Sequence, residues 1–253
     1  MQISLLRQKS FMKESLLALE LGYKGTVPVY SCSLENISQY QTQLKTGKLL
    51  PVGSVEFLLQ AFHLTGCAIP ENISYPKCLF PFLKRNVTTC KISELTIPCF
   101  VKPMITKTFT GFVYENGAAT LNEHISDQIQ VLTTLPHDTN VWTSEVVHWI
   151  SEYRYYICSK QIIGFSRYDE ADNPYAPDNH VVEAMGAELA KDNNFPSSYG
   201  LDIGVLDTGI TALIEVNDAW ALGYYKSENS PKPELYFSML FDRWDSIFRT
   251  SIL

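Results

Sequence analysis

The segment TALIEVND places Glu215 and Asn217 two residues apart. On a β-strand that spacing sends both side chains to one face, and Ile214 and Val216 to the other. Asp202 opens the preceding apolar run, LDIGVLD. If the two runs fold back about Thr208-Gly209, Asp202 falls opposite positions near 215. Two carboxylates and an amide oxygen on one surface make a hard-oxygen site suited to Mg2+. The competing reading is a solvated strand face with ordinary polar residues.

Two further groups could handle anions. In FVKPMITKTFTGF, Lys102 ends an apolar run and Lys107 lies in the turn that follows. A strand, a polar turn and a second strand can fold backbone amides over phosphates while lysines neutralise charge. The alternative is a surface hairpin with solvated lysines. In SEVVHWISEYRYYI, Glu152, Arg154 and Tyr156 alternate on one strand face, and Arg167 falls on the neighbouring strand. Two arginines on adjacent strands would form a bidentate receptor for a phosphate or carboxylate. The alternative is an exposed ion pair of Arg154 with Glu152 or Asp169, worth at most ~1 kcal/mol.

Other chemistries find no support. The chain contains no G-x-x-x-x-G-K-[ST], G-x-G-x-x-G, G-x-S-x-G or H-E-x-x-H. Its six cysteines include no C-x-x-C pair, which reads as reduced thiols rather than zinc ligands. A net charge of −7 argues against nucleic acid or an anionic membrane as partner. No run approaches the ~20 apolar residues of a spanning helix, and the first residues lack a signal-peptide pattern. The expectation is a cytoplasmic protein.

These groups need elements to hold them. Helices are predicted over 34–46, closed by Gly47, and over 55–65, capped by Ser54 and ended by Gly66. From residue 97 onward strand signals dominate: IPCFVKP with FTGFVYE, then VWTSEVV, then EYRYYICS with QIIGFSRY across a tight link near Lys160. A polar, Pro-rich loop precedes one late amphipathic helix, VVEAMGAELAKDN, with Asp178 or Asn179 as its cap. The fold class expected is α+β or mixed α/β with antiparallel sheets. An N-terminal α/β lobe over 1–92 would precede a second region over 93–253.

The order of these motifs resembles the ATP-grasp fold, and most closely a small clade, often phage-encoded, named for two arginines and a lysine. PVGSVEF, the YPxxLxxFLxR pattern, FVKP, EYRYYI, GFSRY, LDIGV and LIEVNDAWALGYY carry the resemblance over about residues 50–225. It implies ATP and Mg2+ as cofactors. By the resemblance, Lys102 and Lys107 contact phosphates, and Glu145 to Val147 form the hinge that reads adenine through backbone groups. Glu152 meets the ribose hydroxyls, and Asp202, Glu215 and Asn217 hold the metal. Arg154 and Arg167 are the clade arginines, catalytic together with Lys102. The hinge matches least closely. The implied activity is carboxylate–amine ligation through an acylphosphate, on small-molecule or peptide substrates. A kinase-like phosphoryl transfer and a non-enzymatic nucleotide-binding module are the alternatives. The resemblance leaves both substrates and the oligomeric state open.

Overall fold

The computed structural model describes residues 3–96, 98–105, 108–114 and 133–252. Three sheets organise them. The first is parallel, in the order β2-β1-β3, from β1 (Ser4–Gln8), β2 (Val29–Cys32) and β3 (Leu49–Val52). All four residues of β3 are buried, as a strand covered on both faces requires. Helices α1 (Lys13–Tyr23) and α2 (Val55–Thr65) cover it. Ser54 caps α2 by accepting from the Phe57 N–H at 3.3 Å, and Gly66 ends it at φ +78°. The predicted 34–46 helix forms as a 3-10 turn over Leu34–Tyr40 followed by one α turn, Gln41–Leu44.

The second sheet runs β4-β7-β5-β6, from β4 (Val87–Lys91), β5 (Cys99–Pro103), β6 (Phe112–Tyr114) and β7 (Asn140–Ser144). The third runs β11-β10-β8-β9, from β8 (Trp149–Cys158), β9 (Gln161–Arg167), β10 (Tyr199–Leu206) and β11 (Thr211–Asp218), wholly antiparallel. One face of it packs Tyr155, Leu201, Ile203, Leu213 and Val216 against Val182, Met185 and Leu189 of α3 (Asn179–Ala190). Asp178 caps α3 through the His180 N–H. The β8–β9 hairpin turns at Ser159 and Lys160, both at positive φ without being glycine. Such a turn suits the right-handed twist of the strands. The Lys160 N–H donates to the Ser197 carbonyl at 2.8 Å and so holds the strained pair in place.

β4 pairs with β7, so the second sheet begins at Val87. A helix absent from the sequence expectations, α4 (Pro233–Ile252), returns to the N-terminal lobe. Its Tyr236, Phe237, Leu240, Trp244 and Ile247 share one core with Leu5, Leu50 and Phe62. Proline at its first position and this i, i+3/i+4 spacing are its signal in the chain. Among the described residues no helix is long and apolar enough to cross a membrane. All six cysteines are free.

Candidate active site

The free face of the third sheet carries a row of polar side chains set by register. Glu215 lies opposite Asp202, Asp202 opposite Arg154, and Arg154 opposite Ser166. Residues directly opposite in an antiparallel sheet share a face, so the four side chains form a line across the strands. Arg154 closes a fork on Asp202, with Nε to Oδ1 at 2.8 Å and Nη2 to Oδ2 at 2.7 Å. Asn217 adds its Nδ2 to the same Oδ2 at 2.9 Å. Asp202 is 2% exposed and Arg154 8%. Burial pushes the guanidinium pKa down, but the Asp202 charge beside it outweighs this and holds it above the usual value.

The second sheet brings a cation to the end of this row. Lys102, on β5, forms an ion pair with Glu215. It also donates to Ser74 Oγ at 2.8 Å and lies 5.3 Å from the Tyr75 ring centroid. Two cavities meet at the Lys102–Glu215 pair, and Lys102, Gly111 and Glu215 line both. One, of 340 Å³, is walled by Ser144 to Val147, Trp149, Glu152 and Ile214. The other, of 230 Å³, is walled by Asn217, Asp218 and Trp220 on one side and Phe109, Thr110 and Gly111 on the other.

Glu152 sits in the larger cavity. It accepts from the Tyr168 hydroxyl at 2.9 Å, and burial raises its pKa against the opposing pull of that bond. Tyr168 stacks on Tyr225 at 5.0 Å between centroids, and the Arg154 guanidinium lies 5.0 Å from the Tyr225 ring. The same cavity shows a departure from strict alternation. The register slips between Asp202 and Ile203, leaving Ile214 as the extra residue of a β-bulge. Ile214 therefore lines the cavity instead of leaving by the back face with Val216. Arg85 ties the bulge down, with Nη1 on the Leu213 carbonyl at 2.7 Å and Nη2 on the Ile214 carbonyl at 3.0 Å.

Of the residues singled out in the sequence, Lys102, Glu145, Val147, Glu152, Glu215 and Asn217 converge on these two cavities. The Glu145 carboxylate is engaged by the Asn86 N–H at 3.1 Å, so this hinge faces the cavity alongside Ser144 and Val147 with its acid already committed. Lys107 lies outside the described residues. One expectation is corrected. The arginines do not form one receptor: Arg167 lies opposite Tyr153, on the other face from Arg154. It is held by Asp169, by Asn173 and by the Ile150 carbonyl, and so anchors the loop after β9. Asp202 carries Arg154 and Asn217 on its oxygens and is not among the residues that line the two cavities. Among the described residues no group of three or more His, Cys, Asp or Glu could hold a metal.

A divalent cation carried by a polyphosphate needs less than such a group. Mg2+ bound with phosphates takes one or two protein oxygens and keeps several waters. Glu215 and the Asn217 amide oxygen fit that need. They share a face beside Lys102, and the bond from Nδ2 to Asp202 fixes which end of the amide turns to the cavity.

Ser74, Tyr75, Arg85, Tyr168 and Tyr225 were given no role from the sequence, although all but Ser74 fall within the motifs that carry the resemblance. Ser74 and Tyr168 act through side-chain hydrogen bonds, Arg85 through backbone carbonyls and Tyr75 and Tyr225 through ring contacts, and no spacing rule marks those partners.

A family model for the ATP-grasp domain, family 2 of the clade named for two arginines and a lysine, matches residues 82–232, well over half of the chain. The N5-carboxyaminoimidazole synthetase of Staphylococcus aureus is similar in structure, with a TM-score of 0.50 at 9% identity over 97% of this chain and 78% of that one. The D-alanine–D-alanine ligase of Bacillus anthracis gives 0.44 at 13% identity, over 99% and 97% of the two chains. The ATP-grasp ligase PsnB with a minimal precursor gives 0.48 at 13% identity, over 96% and 100%. No curated protein matches the sequence. With the family match covering the second and third sheets and the cleft between them, the chain belongs to the ATP-grasp domain proteins, in family 2 of the two-arginine-and-lysine clade.

Proposed function

We propose that this protein is an ATP-dependent carboxylate–amine ligase that binds Mg-ATP in the cleft between its second and third sheets. The observation that carries this reading is the Lys102–Glu215 pair, one partner from each sheet, at the junction of the two cavities. In this reading the 340 Å³ cavity takes the adenosine. The hinge from Glu145 to Val147 borders the base, Trp149 and Ile214 wall it, and Glu152 accepts from the ribose hydroxyls. Phosphates extend past Lys102 into the 230 Å³ cavity.

Glu215 and Asn217 would hold Mg2+, which supplies charge neutralisation on the phosphates when bound. Lys102 turns from Glu215 to the phosphates and balances the charge that develops on the transferring group. Arg154 acts as a positioning residue: by clamping Asp202 it fixes Asn217, which takes its orientation from the same carboxylate. The substrate carboxylate oxygen attacks the γ-phosphorus, the bond to the β-γ bridging oxygen breaks, and ADP leaves. An amine nitrogen then attacks the acyl carbon, the acyl C–O bond breaks, inorganic phosphate leaves, and the nitrogen loses a proton. The cytoplasmic location expected from the sequence accords with an ATP-dependent activity.

The reading is tested by following ADP, phosphate and amide together while candidate carboxylates and amines are supplied. Stoichiometric amide, ADP and phosphate are expected. ADP with a phosphorylated product and no amide would make the protein a kinase instead. A saturating Mg-ATP titration with no binding would end the nucleotide reading.

A further inference from the structure

The parallel sheet contains a feature the ATP cleft does not use. Its order β2-β1-β3 puts β2 on one side of β1 and β3 on the other. The winding therefore reverses at β1. In open parallel sheets, ligands bind beyond the carboxyl ends of the strands at such a point. A cavity of 110 Å³ lies there, beyond the end of β3 and against the first turns of α1 and α2. Met12, Val55, Leu58, Trp220, Leu222 and Leu240 give it apolar walls. Glu14 is the one charged side chain among its described lining residues.

This cavity adjoins the reaction centre. Trp220 and Ala221 line both it and the cavity that holds Glu215 and Asn217. Glu14 accepts from the Tyr224 N–H at 2.8 Å, while the preceding carbonyl, of Gly223, accepts from Arg154 Nη1 at 3.3 Å. One peptide unit thus separates Glu14 from the arginine clamped on Asp202.

We propose that the cavity receives the amine substrate: a primary amine bearing an apolar group of up to about four carbons, its ammonium paired with Glu14. An apolar cavity of about 150 Å³ accommodates benzene, which sets the size limit for this smaller one. The sign of the charge sets the class, since a carboxylate would meet Glu14 with no lining cation to offset it. The proposal deepens the ligase reading and rests on it, but its binding step can be measured without nucleotide.

Saturation-transfer NMR on the full chain, with isobutylamine, isovalerate and L-glutamate as separate probes, tests it. Isobutylamine should bind, and the other two should not. Glu14→Gln keeps an acceptor for the Tyr224 N–H and removes only the charge. It should weaken isobutylamine binding and raise the amine KM at least about tenfold, with Mg-ATP binding unchanged. Val55→Phe should narrow the cavity and reduce isobutylamine binding in the same assay. Isovalerate or glutamate binding as well as isobutylamine would overturn the proposal, as would an unchanged isobutylamine titration in Glu14→Gln. Isobutylamine binding that survives alongside a failed Mg-ATP titration would uphold the cavity and sink only the ATP reading.

Discussion

The two faces of the third sheet are built from the same strands and do opposite work. The face toward α3 is apolar: Leu201, Ile203 and Leu213 are at most 1% exposed and pack on Met185 and Leu189. The face toward the second sheet carries Glu215, Asp202, Arg154 and Glu152 on the same three strands. A period of two lets one segment serve both purposes. The division is not only apolar against polar. On the polar face, Asp202 and Arg154 are buried and bonded to each other, whereas Glu215 and Asn217 reach the cavities. Stability and chemistry are therefore separated twice, once through the sheet and once along the row.

This separation can be broken at graded points. The largest effect is expected from Arg154→Ala, which strands the Asp202 carboxylate in a buried site. A loss of about 3–5 kcal/mol in chemical denaturation is expected. An unchanged midpoint would show that the pair is solvated and that the row is not a structural device. On the opposite face, Ile203→Ala should cost about 2–5 kcal/mol by opening a cavity, with turnover per folded molecule retained.

Glu215→Gln should do the reverse. Turnover should fall about a hundredfold or more, while the melting temperature moves little because the side chain borders open cavities. A large loss of stability there would blur the division.

Glu152 sharpens the comparison through pH. Burial raises its pKa above the ordinary 4.5. Above that value the unfolded chain releases its proton first, so the folded state binds more protons and stability falls as pH rises. The fall ends once the folded group has also ionised. Glu152→Gln should remove this slope, and thermal melts between pH 4 and pH 8 would show whether it does.

The smallest effect is expected from Arg167→Ala. It lies on the other face and holds the loop after β9, so about 1 kcal/mol of stability and no more than a few-fold in kcat should be lost. Abolished turnover with intact Mg-ATP binding would mean that Arg167 reaches the reacting groups after all.

Much of the polar face was legible before the fold was known. Period-two spacing places Glu215 with Asn217, and a simple hairpin count sets Asp202 opposite Glu215, as the register bears out. The same arithmetic misdirected Arg167. Being on the strand next to Arg154 does not settle which face it uses, and only the pairing with Tyr153 does. Ile214 escaped for a different reason, because a bulge breaks alternation at one residue and no composition signal marks it. That Asp202 answers to Arg154 was hidden too, since a carboxylate's partner depends on which cation the third dimension brings nearest. The N-terminal parallel sheet and α4 were missed because the strands of the sheet are four or five residues long and the helix packs on segments more than 170 positions earlier.

The central claim is that Lys102 and Glu215 meet on the phosphates of one nucleotide. Calorimetric titration of wild type, Lys102→Met and Glu215→Gln with a non-hydrolysable ATP analogue, with and without Mg2+, tests it most directly. Saturable binding is predicted for wild type. Lys102→Met should weaken it with or without the metal, and Glu215→Gln should weaken it about tenfold or more only when Mg2+ is present. Equal affinity in all three proteins, or a Glu215→Gln loss that ignores the metal, would contradict the account.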